Sequence, residues 1–197
     1  FAQRNVSHRV KNTPRLQKKR RNTLFAMFLR SHLVPQTGKM GIAIADEFAA
    51  QGADVTLVCG PSNQMLQNSS VKRIDVESAQ QMHDECMKAA NGSDIIVMAA
   101  AVADYKVEKD AQDKMKKNNS LNLSLTGTVD ILSELGKQKK SGQVLVGFAL
   151  ETNNEVENAK DKLQRKNLDM IVLNSLKDEG AGFNYDTNKI SIVDKKM

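Results

Sequence analysis

Several lysines in this sequence are spaced so that they could neutralise phosphate groups. Lys162 and Lys166 are four residues apart, so both ammonium groups lie on one face of a predicted helix. Together they could hold a polyphosphate, although the same spacing is equally typical of ordinary surface lysines. Lys114 belongs to a lysine-rich polar loop that could close over a triphosphate or simply form a solvated charge run.

Two predicted strands end in residues that could contact a nucleotide. Ala99 and Ala100 lie at the end of the most hydrophobic run, and Asp104 follows them. Small side chains let a ring or a sugar approach the backbone, and a carboxylate accepts hydrogen bonds from hydroxyl or amino groups. Phe148 ends a later strand and could stack on a base. A turn capped by Asp104 and a core aromatic at position 148 are the structural alternatives.

Gly38 and Gly41 stand directly before a predicted helix. Glycines there would let an anion approach the free N–H groups of the helix. The pattern lacks the three-glycine dinucleotide fingerprint and a preceding strand, so a structural turn is an equally good interpretation. A generic NAD-dependent oxidoreductase is therefore disfavoured.

The candidate residues are positioned by strands and helices that alternate regularly along the sequence. Hydrophobic periodicity predicts helices over 42–51, 78–90, 130–139 and 154–166, and strands over 55–59, 71–76, 94–101, 121–125, 144–150, 169–174 and 189–193. The strand over 121–125 alternates leucines with polar residues and is expected to have one wet face, while 103–119 is predicted to be a loop. The pattern predicts an α/β fold with a doubly wound, mostly parallel, Rossmann-like sheet. Ligands of such sheets bind beyond the carboxyl ends of the strands.

The net charge of +6 is concentrated at one end of the chain. Residues 1–36 contain nine Lys and Arg and no acid, which leaves 20 basic against 23 acidic residues, a charge of −3, in residues 37–197. A basic arm could bind nucleic-acid backbones or resemble a transit peptide. The sequence favours instead a disordered or non-native arm over 1–36, followed by one domain over 37–197, with no nucleic-acid partner.

The remaining composition predicts a cytoplasmic protein with no membrane segment. The longest apolar runs are far too short to span a bilayer. Cys59 and Cys86 have neither metal-binding nor disulfide-framework spacing, so both are interpreted as buried thiols in a reducing compartment.

The order of the motifs is more specific than any one of them. Sequence segments at 38–41, 52–61, 99–105, 114–117, 130–132, 146–152, 166–169 and 183–188 resemble, in this order, the motifs of bacterial phosphopantothenoylcysteine synthetases. The resemblance covers residues 37–197. In bacteria this domain is usually the carboxyl half of a bifunctional protein whose other half is an FMN-dependent phosphopantothenoylcysteine decarboxylase.

The resemblance implies a phosphopantothenate–cysteine ligase of coenzyme A biosynthesis. Its substrates would be 4′-phosphopantothenate, cysteine and CTP, with Mg²⁺ required, and an acyl-cytidylate would be the intermediate. A homodimer is implied, for which the segment 121–125 is a candidate contact. Association with, or former fusion to, the decarboxylase is also implied, whereas FMN is not expected on this chain.

The resemblance also assigns residues to the nucleotide site. CTP is expected against Met98, Ala99, Ala100 and Asp104, along the segment Val129, Asp130, Ile131 and Leu132, beside Phe148, and with Lys162 and Lys166 near its phosphates. Lys114 is expected on the flap that closes over the intermediate and is the predicted catalytic residue. The lysine-rich flap favours the CTP-using bacterial branch over the ATP-using eukaryotic one.

The sequence departs from the family at its start. The family begins with a strand and an asparagine-containing segment, but residues 1–36 show no such strand, and the asparagine position falls near Val34. Val129 also replaces a common proline. We therefore expect the first strand to be missing or altered. The alternative functions are a nucleotide-binding but catalytically impaired relative and a basic-armed nucleic-acid-binding protein.

Overall fold

The computed structural model describes residues 22–27, 38–99, 102–108, 122–151, 153–175 and 190–196. The described helices and strands follow one another in this order: β1 Asn22–Met27, α1 Lys39–Ala50, β2 Asp54–Cys59, β3 Lys72–Asp75, α2 Ala79–Ala90, β4 Ile95–Met98, β5 Tyr105–Val107, β6 Leu125–Gly127, α3 Ile131–Gln138, β7 Val144–Glu151, α4 Glu155–Arg165, β8 Met170–Ser175 and β9 Ile190–Asp194.

Seven of these strands form one sheet in the order β3-β2-β1-β4-β7-β8-β9. All neighbours are parallel except β9, which pairs antiparallel with β8. Parallel neighbours need crossover connections. The connections from β1 to β2, from β3 to β4, from β6 to β7 and from β7 to β8 contain α1, α2, α3 and α4, whereas residues 60–71 connect β2 to β3 without a helix. The strand order reverses between β1 and β4, and this reversal opens a crevice at the carboxyl ends of the strands. The predicted mostly parallel α/β sheet is thus confirmed.

The first strand was expected to be missing or altered, and the expectation that it is missing is wrong, because β1 is part of the sheet. β1 lies between β2 and β4, with Thr23 opposite Val55 on one side and Ile95 on the other. Asn22 fixes the start of the strand, because its backbone N–H donates to the Asp94 carboxylate at 3.1 Å. β1 is a short strand whose last four residues, Leu24 to Met27, are apolar, so a strand can form here despite the basic residues before it. Six residues of the predicted arm therefore belong to the fold, and its boundary at residue 36 stays a prediction.

The helices cover the two faces of the sheet unequally. α1 buries Ile42 and Ala45 on one face. α2, α3 and α4 pack on the other, where Met82, Leu135 and Leu163 meet the inward side chains of β4, β7 and β8. This second face is the one that leads to the crevice beside β4.

The helix boundaries follow from their end residues. Ser78 begins α2 with a reciprocal capping box, in which its hydroxyl accepts from the Gln81 N–H at 3.1 Å and the Gln81 side chain accepts from the Ser78 N–H. Asp130 begins α3 in a similar way, with its carboxylate accepting from the Ser133 N–H at 3.0 Å. The predicted helices are confirmed to within three residues at each end.

A two-stranded antiparallel ribbon, β5 with β6, stands outside the main sheet. The predicted loop over 103–119 therefore contains a strand, and the described part of the segment predicted over 121–125 becomes a strand only at Leu125. Leu123 and Leu125 were expected on a dry face, yet they are 55% and 59% exposed. Periodicity cannot detect a three-residue strand whose partner lies far along the chain. Among the described helices, none has the length and apolar character that crossing a bilayer requires.

Candidate functional site

A cleft of about 230 Å³ opens where the carboxyl ends of β4 and β7 meet the start of α3. Its floor is apolar and its rim carries two lysines and two carboxylates. It is lined by Met98, Val102, Asp104, Thr128, Val129, Asp130, Ile131, Leu132, Phe148, Lys162 and Lys166. These residues come from five separate parts of the chain, which the parallel sheet gathers at one edge.

The cleft brings together nine of the twelve residues that the sequence assigns to a nucleotide site. The nine are Met98, Asp104, Val129, Asp130, Ile131, Leu132, Phe148, Lys162 and Lys166. Ala99 lies directly after β4 and is half-buried, but it does not line the cleft. Ala100 and Lys114 lie outside the described residues, so their predicted places stay predictions.

Lys166 is held at the N-terminus of α3 by an ion pair. Its Nζ lies 2.7 Å from Oδ2 of Asp130, and its side chain is only 16% exposed. Burial raises the pKa of the Asp130 carboxyl, but hydrogen bonds from Lys166 and Ser133 outweigh burial and hold that pKa below its usual value. Asp130 is therefore charged at neutral pH and orients the ammonium group toward the cleft.

Lys162 stands one helical turn earlier on the same face of α4. Its Nζ donates to the backbone carbonyl of Phe148 at 2.7 Å, across the end of β7. Together the two lysines place two positive charges on one wall of the cleft. Such a pair could bind phosphate oxygens, as the four-residue spacing predicts.

The ring of Phe148 belongs to the opposite face of the sheet. Phe148 packs against the cluster that includes α1 residues, whereas its neighbour Ala149 belongs to the cluster under α3 and α4. This alternation follows from the two-residue period of a strand. The best-defined contact of Phe148 with the cleft is thus its carbonyl group, which positions Lys162.

Sequence reasoning missed two lining residues, Val102 and Thr128. Thr128 directly follows β6. Its hydroxyl donates a hydrogen bond to the Ala103 carbonyl, and its backbone N–H donates to the Asp104 carbonyl at 2.9 Å. These bonds tie the segment after β4 to the segment before α3. The available signal was the position of Thr128 two residues before Asp130, in the segment that leads into α3.

The described residues contain no group of three His, Cys, Asp or Glu side chains that could hold a metal ion. Two carboxylates reach the cleft. That of Asp130 is engaged by Lys166 and Ser133, and that of Asp104 has no side-chain partner within the described part of the chain. This donor set does not form a protein cage, but it fits a magnesium ion that is bound mainly by phosphates and needs one or two carboxylates.

Comparison with known proteins relates the chain to one family. The family model described as "DNA/pantothenate metabolism flavoprotein C-terminal domain" matches residues 30–197. A cysteine/cysteine sulfinic acid decarboxylase from an unknown prokaryotic organism is 51% identical over 160 residues, which cover 81% of this chain and 45% of that protein. The coenzyme A biosynthesis bifunctional protein CoaBC of Haemophilus influenzae is 44% identical over 79% of this chain and 39% of its own length. The chain thus spans less than half of these relatives.

A solved structure agrees with the sequence comparison. The crystal structure of the C-terminal domain of a coenzyme A biosynthesis bifunctional protein CoaBC superimposes with a TM-score of 0.70 at 33% identity. The match covers 89% of this chain and 82% of that domain. Most of that domain therefore has a counterpart in this chain.

Proposed function

The chain belongs to the family of DNA/pantothenate metabolism flavoprotein C-terminal domains, and from this membership we propose that it joins 4′-phosphopantothenate to cysteine at the expense of CTP. The observation that carries the proposal is the cleft after β4 and β7, in which nine residues assigned to CTP by resemblance lie together. They come from separate segments, so their meeting in one place supports a shared ligand.

The reaction has two steps. A carboxylate oxygen of 4′-phosphopantothenate attacks the α-phosphorus of CTP, pyrophosphate leaves, and an acyl-cytidylate forms. The cysteine amine then attacks the acyl carbon, loses a proton, and CMP leaves with the former carboxylate oxygen. Activation is needed because a free carboxylate is a poor electrophile.

The cleft residues have distinct roles in this scheme. Lys162 and Lys166 offset the charge of the phosphates, which grows on the departing pyrophosphate. The apolar floor at Met98, Ile131 and Leu132 excludes water and takes the flat base or the sugar. Holding CTP against the bound carboxylate makes the attack effectively intramolecular.

A Mg²⁺ ion bound together with the triphosphate would offset charge on the phosphate oxygens and so favour the departure of pyrophosphate. Asp104 is the cleft carboxylate best placed to hold it, since Asp130 is already paired with Lys166. By analogy with the family, the proposal also includes three further features. Lys114 lies on a flap that closes over the intermediate, the chain forms a homodimer, and it associates with an FMN-dependent decarboxylase half.

A reconstituted reaction tests the proposed function. The purified chain is incubated with Mg²⁺, CTP, 4′-phosphopantothenate and cysteine, while pyrophosphate, CMP and the amide product are measured. We expect all three products. Pyrophosphate should require 4′-phosphopantothenate, CMP and the amide should require cysteine as well, and ATP should be a much poorer substrate than CTP. Pyrophosphate without amide identifies an impaired relative, and the absence of CTP binding and turnover refutes the proposal.

A further inference from the structure

The turn that follows α4 contains a residue other than glycine in the left-handed backbone conformation. Lys166 ends the helix, and Asn167 adopts a left-handed conformation with φ of 51°. Glycine commonly occupies this position at helix ends, and asparagine is among the few other residues that tolerate it. The turn directs the chain into Leu168, which is fully buried.

Three contacts dock this turn against α3. The Asn167 side-chain amide donates to the Gly136 carbonyl at 2.9 Å, and the Lys139 ammonium donates to the Asn167 carbonyl at 2.8 Å. The Lys166 carbonyl lies directly against Gly136, so close that a Cβ at position 136 would collide with it. Since that neighbour is backbone, a side chain at 136 forces the turn away from the helix.

The side chain of Lys166 starts at this contact and ends in the cleft. Its backbone lies beside Gly136, whereas its Nζ reaches Asp130 at the beginning of α3. Six residues separate the two contact points, which is about 9 Å along a helix axis. The side chain therefore runs along α3, and a shift of the turn moves the ammonium group in the cleft.

We propose that Gly136 and Asn167 are positioning residues for the nucleotide, because they dock the turn after α4 on α3 and so set where the Lys166 ammonium meets the phosphates. Neither residue lines the cleft. This inference rests on the proposed function and adds to it a part of the molecule outside the binding site.

Two variants test the proposal through CTP affinity. Gly136→Ala pushes the turn away, and Asn167→Gly keeps the left-handed backbone while removing the amide donor. The Kd for CTP with Mg²⁺ is measured by calorimetry. We expect it to rise about tenfold in Gly136→Ala, which displaces the charged hydrogen-bond donor Lys166, and about fivefold in Asn167→Gly, which loses a neutral hydrogen bond. Gly52→Ala is the matched control, since Gly52 has a φ of 88° at the end of α1, far from the cleft. CTP affinity should be unchanged in it.

Each variant is also combined with Lys166→Met. If the turn acts through Lys166, the second change adds no further loss of affinity in that background. Equal fold losses in both backgrounds, or an unchanged Kd in folded variants, overturn the proposal. If Gly136→Ala does not fold, the Asn167→Gly pair decides alone.

A nucleotide-free measurement separates this inference from the proposed function. The Asp130 carboxyl is titrated by NMR in the wild type and in Gly136→Ala. Displacement of Lys166 should raise the pKa of Asp130 toward its usual value, and an unchanged pKa overturns the inference. Failure of the wild type to bind CTP refutes the proposed function and, with it, the assignment of Lys166 to phosphates, whatever the titration shows.

Discussion

At the scale of single residues, Lys166 has two competing acceptors. The carboxylate of Asp130 holds its ammonium at 2.7 Å, and in the proposed reaction a phosphate group takes over part of that charge. The pair keeps the lysine ordered before the ligand arrives, so less side-chain entropy is lost on binding. It also makes the phosphate compete with a carboxylate. The ion pair thus favours discrimination, since a ligand with little negative charge does not displace it.

We expect Lys166→Met to weaken CTP binding by about tenfold or more, the cost of losing a hydrogen bond to a charged group. Steady-state kinetics with varied CTP measures it as a rise in KM. Lys160→Met is the matched control, because Lys160 lies on the same helix but is exposed and does not line the cleft. An equal rise in the control would show that general charge, not this position, attracts CTP.

Lys114 has a different predicted role from Lys166. A lysine on a flap that closes only over the reacting state stabilises that state more than bound CTP. Lys114→Ala is therefore expected to lower kcat more than it raises the Kd for CTP. Single-turnover kinetics and calorimetry on the same preparation give the two numbers. Equal losses in both would reduce Lys114 to a simple binding contact.

His83 of α2 links this helix to α3 and does not line the cleft. Its Nε2 lies 2.7 Å from Glu134 and its Nδ1 lies 2.9 Å from Asp84, so both nitrogens need a proton to donate. The hydrogen bond to Glu134, followed by the one to Asp84, raises the pKa of His83 above its usual 6.5. Because the folded-state pKa is the higher one, the stabilisation is complete below pH 6.5 and is lost as the pH rises through the folded-state pKa.

As the pH rises from 6.5 through the folded-state pKa of His83, we expect the free energy of unfolding of the wild type to fall by up to about 1 kcal/mol. This is the usual contribution of a partly exposed ion pair. Urea unfolding at several pH values from about 6 to about 8 measures it. The His83→Gln variant should show a flatter pH dependence in the same range. A wild type and a variant with parallel pH profiles would contradict this account.

At the scale of elements, Asp169 joins three parts of the fold at the start of β8. Its carboxylate accepts from the Leu145 N–H of β7 at 2.8 Å, and it pairs with Lys139 after α3 and Lys195 after β9. Burial raises the pKa of Asp169, but the bonds from Lys195, Leu145 and Lys139 outweigh burial and lower it. The stabilisation is therefore present above the ordinary value of 3.8 and is lost as the pH falls through the lower folded-state pKa.

We expect Asp169→Asn to reduce the free energy of unfolding by about 1–3 kcal/mol at neutral pH, as for other hydrogen bonds to charged groups. Urea unfolding at about pH 7 and about pH 3 should show the difference from wild type shrinking in acid. Asp161→Asn is the control, because Asp161 and its partner Arg165 are each 65% exposed and such pairs contribute little. Similar losses in the two variants would refute the special role of Asp169.

The helices and strands differ in how well they can be predicted from the sequence. α2 could be predicted because its signals are local: Ser78, Gln81 and a periodic apolar face. The segment containing Asp130 could be assigned to the site only because it resembles a motif of a known family, since no local pattern in it indicates a ligand. β5 could not be predicted, since its three residues become a strand only by pairing with β6. The ion pair between Lys166 and Asp130 could not be predicted either, because it depends on how α4 packs against α3.

At the scale of the whole molecule, β1 holds the two halves of the sheet together. β2 and β3 lie on one side of it, and β4, β7, β8 and β9 lie on the other. Asn22 adds side-chain and backbone bonds to Gly92 and Asp94, which align the strand with β4. A segment that the charge pattern assigns to a basic arm is thus the central link of the fold.

Two deletions test this arrangement. Removing residues 1–21 leaves every strand of the described sheet in place, so we expect a cooperative urea transition with a midpoint close to that of the full chain. Removing residues 1–27 deletes β1, exposes the facing edges of β2 and β4, and leaves their backbone groups unpaired. That loss exceeds the roughly 5–15 kcal/mol by which domains are stable, so the cooperative transition should disappear. If the shorter chain still unfolds cooperatively and binds CTP, β1 is dispensable and the domain begins near residue 37, as the charge pattern alone suggests.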